Sequence, residues 1–404
     1  MSDARAGTIT VPLRGKGAMR NPTSDVPADN TRSFGHERKY PLCQLTALLC
    51  LFIVIQACSG SSQQDNTTPT DTISVTQHST FDERYQPTDT IYPEQTEEHL
   101  VASVAEVAFD DSGRFLIVDD SEADVKLFGP EGQLITAIGR KGQGPGEFIQ
   151  PRRAAFGPDG NIHVLDQSLN RIQVFNAEDT VVREIILREH SRLRDFEVFP
   201  DKTYAILATQ HSHDPDNQDV VLHMDQSGDI IASYLPIANI VPRGEESKNQ
   251  LIWGYPRNFF SDRRGDTVYV VSSVVGRLWK VVPTDSVVDS LHVEFPDYRK
   301  PESPLPDSKI QTGKDLIEYF HTRHLGGFIQ VGEGRLFWPF IRGEWMRDSP
   351  RVYLHRLEAG AWEQIDGRDG QQVIRVVEMY EGAPVTLERP ATDRMRLIAH
   401  GRVQ

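Results

Sequence analysis

The chain has 404 residues, 38% hydrophobic and 25% charged, a composition that excludes a wholly disordered protein and allows at least one substantial core. Its formal net charge of -15 argues against a general nucleic-acid binder, because phosphate contacts need lysine and arginine gathered on one surface. The three cysteines, Cys43, Cys50 and Cys58, lie in or beside one apolar run near the N-terminus, so the rest of the chain has no thiol pair for a disulfide or zinc knuckle.

That run, PLCQLTALLCLFIVIQACSG, is the first predicted element, and it follows His36-Glu37-Arg38-Lys39. Its stretch of roughly 13 to 16 mostly apolar residues suits the core of a signal peptide and falls short of the roughly 20 that a membrane helix needs. The run ends in Ile55-Gln56-Ala57-Cys58, which resembles the bacterial lipobox. The resemblance implies residues 1–57 as leader and lipoprotein signal peptide, with lipid attached at Cys58. Loss of that leader leaves 36 basic against 54 acidic side chains on the exported part. Residues 58–94 are polar and rich in Thr, Ser and Gln, the composition of a flexible tether, although TISVT at 72–76 also reads as a short strand.

From residue 95 onward a repeat emerges. GRFLIVDDSEADVKLF, residues 113–128, aligns with GNIHVLDQSLNRIQVF, residues 160–175, at a constant offset of 47 residues. Each copy reads as a turn glycine, a short strand rich in β-branched residues, a turn opened by aspartate (Asp119 and Asp166), and a second strand. Weaker copies follow: LRDFEVFPDKTYAIL with DVVLHMDQSGDIIASY, then PRNFFSDRRG with TVYVVSSVVGRLWKV, then GRLFWPF with RVYLHRL, and finally the tail from residue 371. Six units of roughly 40 to 50 residues, each with four short strands, predict an all-β fold: a six-bladed β-propeller with four antiparallel strands per blade over residues 95–404.

GxGPGEFxxP followed by GNIHVLDQSLNRIQVF resembles the NHL-repeat group of six-bladed propellers, and with the lipobox it resembles exported bacterial lipoproteins of that fold. The resemblance implies a membrane-anchored protein of the cell envelope, facing the periplasm or the cell surface. It also supplies an alternative activity, a metal-dependent lyase or lactone hydrolase working at the channel mouth. That alternative calls for several His or carboxylate side chains converging on a central ion, and the expected starts of the inner strands offer no such set.

The stretch GRKGQGPGEFIQPRR, residues 139–153, poses the sharpest choice between chemistry and architecture. A phosphate-binding loop of the Walker type closes with Gly-Lys-Ser/Thr and opens a helix. This one has no such close and leads into a strand, so it reads as the joint carrying the chain from one blade's outer edge to the next blade's inner strand. Counting back from each turn places Arg152, Arg194 and Arg257 at equivalent starts of inner strands, on the face where the blades are joined. Two readings stand: nearby acids such as Asp195 or Glu147 neutralise these arginines, or the rim binds a carboxylate, phosphate or sulfate.

Other candidates carry less. His321 and His324 share a helix face but lack a third ligand at a telling distance, and Asp214, Asp216 and Asp219 lack the glycine and closing glutamate of a calcium loop. Asp119 and Asp166 read as turn residues that accept hydrogen bonds from backbone amides. His163, His223, His292 and His355 fall on strands, in packing or surface roles. Residues 296–324, between the fourth and fifth units, read either as a lid over the channel mouth or as a packed excursion. No nucleophile elbow, catalytic residue, metal site or cofactor is expected. The sequence therefore predicts an envelope binding module, its partner an envelope protein or a small anionic ligand.

Overall fold

The computed structural model describes residues 72–187, 190–210, 219–236, 259–272, 277–294, 330–332, 335–342, 351–358, 361–366, 375–380, 382–389 and 394–403. The chain enters through β1 (Thr72–Thr80), a one-turn helix α1 (Phe81–Arg84) and β2 (Tyr85–Ile91). Three blades then follow in direct succession. The first is β3 (Glu106–Phe109), β4 (Phe115–Asp119), β5 (Asp124–Phe128) and β6 (Leu134–Ile138). The second is β7 (Pro151–Phe156), β8 (Ile162–Asp166), β9 (Arg171–Phe175) and β10 (Val181–Ile186), and the third is β11 (His190–Val198), β12 (Tyr204–Gln210), β13 (Asp219–Met224) and β14 (Ile230–Pro236).

The fourth blade comprises β15 (Phe259–Arg264), β16 (Thr267–Ser272), β17 (Arg277–Val282) and β18 (Val287–Glu294). The fifth comprises β19 (Gln330–Gly332), β20 (Arg335–Arg342), β21 (Arg351–Glu358) and β22 (Ala361–Asp366). The C-terminal tail supplies only β23 (Arg375–Tyr380), β24 (Ala383–Glu388) and β25 (Arg396–Arg402). The fourth strand of that sixth blade is β2, paired antiparallel with β25 in the order β2-β25-β24-β23. Strands β3, β7, β11, β15, β19 and β23 neighbour one another in turn, and β23 returns to β3. This closed cycle of inner strands is a six-bladed propeller.

Burial explains the sequence pattern of the blades. Central strands read as unbroken apolar runs because a blade is covered on both faces: all five residues of β4 and of β8 are buried. Alternate residues of β4 feed two different cores. Leu116 and Val118 pack with Val164 and Phe175 of the second blade, whereas Phe115 and Ile117 pack with Val385 and Leu397 of the sixth. Outer strands are covered on one side only, and β10 alternates accordingly. The turn glycines Gly113 and Gly160 have φ of 82° and 77°, a left-handed conformation that a side chain disfavours.

The tether expected over residues 58–94 gives way at residue 72 to ordered strands. Strand β1 lies between the outer strands of the fourth and fifth blades, parallel to both β18 and β22, and so joins those blades into one nine-stranded sheet. A capping box at Thr80 and Glu83 starts α1, whose Phe81 packs at 5.1 Å from Tyr85 and edge-on at 4.9 Å from His400. Together Phe81, Tyr85, Phe337, Val376 and Met379 fill the seam between the fifth and sixth blades. Arg84 and Ser79 both bind the buried Glu363 carboxylate of β22, at 2.7 and 2.6 Å. Polar composition had hidden this strap, since β1 and β2 lie at a rim that needs few apolar groups. Replacing Phe81 with Ala should lower the unfolding free energy by about 3–5 kcal/mol in urea titration, as expected for a large aromatic lost from a core.

Candidate functional site: an arginine among carboxylates in the central channel

Two buried aspartates fix how each blade is entered. Asp119 accepts hydrogen bonds from the amides of Ala102 and Ser103 before the blade and from Ser121 and Glu122 in its own turn. Asp166 repeats the arrangement with Ile149 and Gln150, then Ser168 and Leu169. One carboxylate thus ties the incoming crossing to the turn between the second and third strands, which is the role their sequence spacing predicted.

The glycine-rich crossing between the first two blades is a joint. Its own Glu147 accepts from the amides of Gln143 and Gly144 and pairs with Arg140 at 3.0 Å, and these contacts hold its carboxyl below the usual range. Arg171 and Gln173 of β9 grip its carbonyls, the former at Gly144 and Glu147 and the latter at Glu147. Phe148 is fully buried in the core between those blades, 5.7 Å from Phe175.

Arg152 and Arg194 occupy matching places. Each sits half-buried at a register irregularity in an inner strand, between Pro151 and Arg153 at the start of β7 and between Leu193 and Asp195 in the middle of β11. Arg257 lies outside the described residues, as do Cys58, His321, His324, Asp214, Asp216 and the 296–324 segment. Asp219 begins β13, and its carboxylate accepts from Ser233.

The extra residue at each irregularity shifts the alternation by one, and it is the next residue that enters the channel. Arg153 is 13% exposed and pairs with Glu106 of the first blade and with Asp195 and, at 3.2 Å, Glu197 of the third. Burial disfavours its charge, but Asp195, Glu106 and Glu197 more than offset that and push its pKa up. Asp262 of the fourth blade and Glu378 of the sixth are the remaining acids in this cluster. Where the inner-strand starts suggested no converging acids, five carboxylates meet around one arginine.

These acids also satisfy backbone. An inner strand has a channel-facing edge with no further strand to pair it, so its amides need other acceptors. Ala154 donates to Glu106 and Ser261 to Asp195, each at 3.0 Å, and Val331 donates to Asp262. In every case the carboxylate belongs to the preceding blade. Arg264 runs the same way with opposite polarity, donating to the carbonyls of Val331 at 2.6 Å and Met379 at 2.8 Å and so spanning the fourth, fifth and sixth blades.

Crowding and burial raise the acids' affinity for protons. Burial lifts Glu106 to about 8 against the pull of Arg153, with Asp195 and Glu378 adding repulsion. Glu378 also reaches about 8, through burial and then the Asp262 charge, and Asp262 reaches about 6, held back by the Val331 amide and Arg153. Burial raises Glu197 as well. Among the described residues no three His, Cys, Asp or Glu side chains adopt a metal-binding arrangement. The sequence signal for the cluster was present but unread: each of EVAF, PRRAAF, RLRDFEV, FFSDRR and RVVEMY carries ionisable groups within an otherwise apolar strand.

The family model described as a 6-bladed beta-propeller, DUF5128, matches residues 62–275. The chain belongs to that family. No curated protein sequence matches it. Among solved structures, a protein of Bacteroides fragilis NCTC 9343 described as exported superposes with a TM-score of 0.63 at 14% identity, covering 82% of this chain and all of its own. A member of the DUF4221 family from Bacteroides vulgatus gives 0.54 at 10% identity, covering 79% of this chain and 98% of its own. Both share the fold. Virginiamycin B lyase of Staphylococcus aureus is more remote, at 0.46 and 13% identity over 76% of this chain and 83% of its own, and carries no argument about activity.

Three substitutions test these roles. Arg153→Met keeps side-chain length but leaves three carboxylates unpaired, and should cost about 3–5 kcal/mol in unfolding free energy. Asp166→Ala should cost upwards of about 2 kcal/mol for its stranded backbone donors, and Asp119→Ala more, because it also takes a carboxylate from the buried Lys126, 3.7 Å away.

Proposed function

We propose that this propeller is an exported, lipid-anchored binding module of the bacterial cell envelope, with an anion-recognising rim on the face where its blades are joined. The observation that supports the rim is the equivalence of Arg152 and Arg194, half-buried at the same irregularity in adjacent blades. Guanidinium forks on neighbouring inner strands suit a carboxylate, phosphate or sulfate, either free or on the surface of a partner protein.

The anchor rests on the lipobox-like sequence at Cys58. Thirteen residues separate it from β1, an extended reach of about 45 Å from the membrane surface.

Calorimetric titration of the full-length protein with inorganic phosphate, sulfate and citrate tests the rim. At least one should bind, and Arg152→Ala combined with Arg194→Ala should weaken it by about tenfold or more with the unfolding midpoint unchanged. Failure of all three to bind, or an affinity indifferent to both substitutions, would overturn the anion reading. Independently, Cys58→Ala should move the protein from the membrane to the soluble fraction of its native host and abolish lipid labelling; membrane retention would reject the anchor.

A further inference from the structure

The carboxylates of the channel are unevenly neutralised around the ring. Arg153 contacts Glu106, Asp195 and Glu197, which serves the first three blades. On the opposite arc, Asp262 and Glu378 face Arg264, whose guanidinium is directed at the carbonyls of Val331 and Met379. Arg263, the next cation along β15, turns to the Gly265 carbonyl and the Phe199 ring. The acids nevertheless sit at seams that hold the ring together, with Asp262 tied to the amide of the fifth blade and Glu106 to that of the second.

We propose that this cluster is a proton-operated fastener: protonated, its surplus carboxylic acids let the blades close tightly around the channel, and ionised, they repel across the channel between the fourth, sixth and first blades. Like charges confined in a poorly hydrated channel cannot all ionise at little cost, whereas a protonated carboxyl keeps an acceptor for the neighbouring amide and gains a donor.

The groups facing each acid are these. Glu106 meets Arg153 from β7, Asp195 from β11 and Glu378 from β23. Glu378 meets Asp262 and Arg264 from β15, and Arg153. Asp262 meets Arg153 and Arg264, and its charge repels those of Glu197 and Glu378. From the fifth blade, β19 contributes Gln330, buried and uncharged.

The sign follows from linkage. Glu106 and Glu378 keep their protons to about 8 in the folded state, against 4.5 when unfolded. Between those values the native state binds more protons, so stability falls as pH rises through the window and levels off above it. His163 and His223 act oppositely, since burial lowers both from 6.5, but they are almost wholly neutral in both states above about pH 7.5. Asp110, Asp159, Asp201 and Asp225, whose carboxyls are lowered by their hydrogen bonds, no longer vary there either. The window from about pH 7.5 to 8.5 therefore reads the channel acids with little contribution from these groups.

Urea unfolding of the full-length protein across that window, with Glu106→Gln, Glu378→Gln and the double variant, provides the test. For the wild type the unfolding equilibrium constant should grow by up to about tenfold per pH unit for each retained proton. Each single variant should show a shallower dependence, and the double variant should be nearly flat and the most stable of the set at pH 8.5. A wild-type stability independent of pH, or variants that keep the wild-type slope, would overturn the proposal. Should Glu106→Gln fail to fold, Glu378→Gln decides alone, because its amide oxygen still accepts from Met379, the bond Glu378 makes at 2.8 Å.

Discussion

The inner edges of six strands surround a channel that no further strand can fill, and their amides must be satisfied without closing it. Much of the structure follows from that constraint. A carboxylate reaching forward from one blade to the backbone of the next solves it at Ala154, Ser261 and Val331, and the same contact welds adjacent blades. Acids used this way accumulate at the axis, where they repel. Arg153 makes the arrangement tolerable on one side by drawing three of them together.

Outward from the axis the forces change character. Between blades the contact is apolar, and successive residues of a single strand serve two different seams, as Leu116 and Ile117 do. Polar fixtures reappear where the chain crosses from blade to blade: Asp119 and Asp166 hold the entering chain, and Arg171 with Gln173 grips the glycine-rich crossing. Charge therefore works at the axis and the crossings while hydrophobic burial works between the sheets. A half-buried arginine such as Arg152 and a channel-facing one such as Arg153 can stand side by side in sequence and meet different surroundings.

The sequence was most legible where blades repeat without interruption. A constant offset and two matching aspartates were enough to identify the first two blades, because a strand covered on both faces leaves a continuous apolar run and a tight turn leaves Gly and Asp. Closure was invisible, since β2 joins β25 from the far end of the chain and no local pattern records so distant a partner. The channel residues lie a single place beyond those the spacing singled out. Counting along an ideal strand pointed to Arg152 and Arg194, whereas an irregularity in each strand reverses the alternation and delivers Arg153 and Asp195 to the channel. Irregularities of this kind arise from backbone geometry and leave no mark in composition.

The strap formed by β1, α1 and β2 has a consequence for how the protein is made. Its partners β22 and β25 are translated last, so the earliest strands must wait, edges uncovered, while roughly 300 residues follow, an interval on the order of 15–60 s at bacterial elongation rates. No stalled or truncated product can complete the circle. Synthesis to the final strand is thus a condition of folding, and incomplete chains expose just the open edges by which quality-control proteases and chaperones recognise their clients.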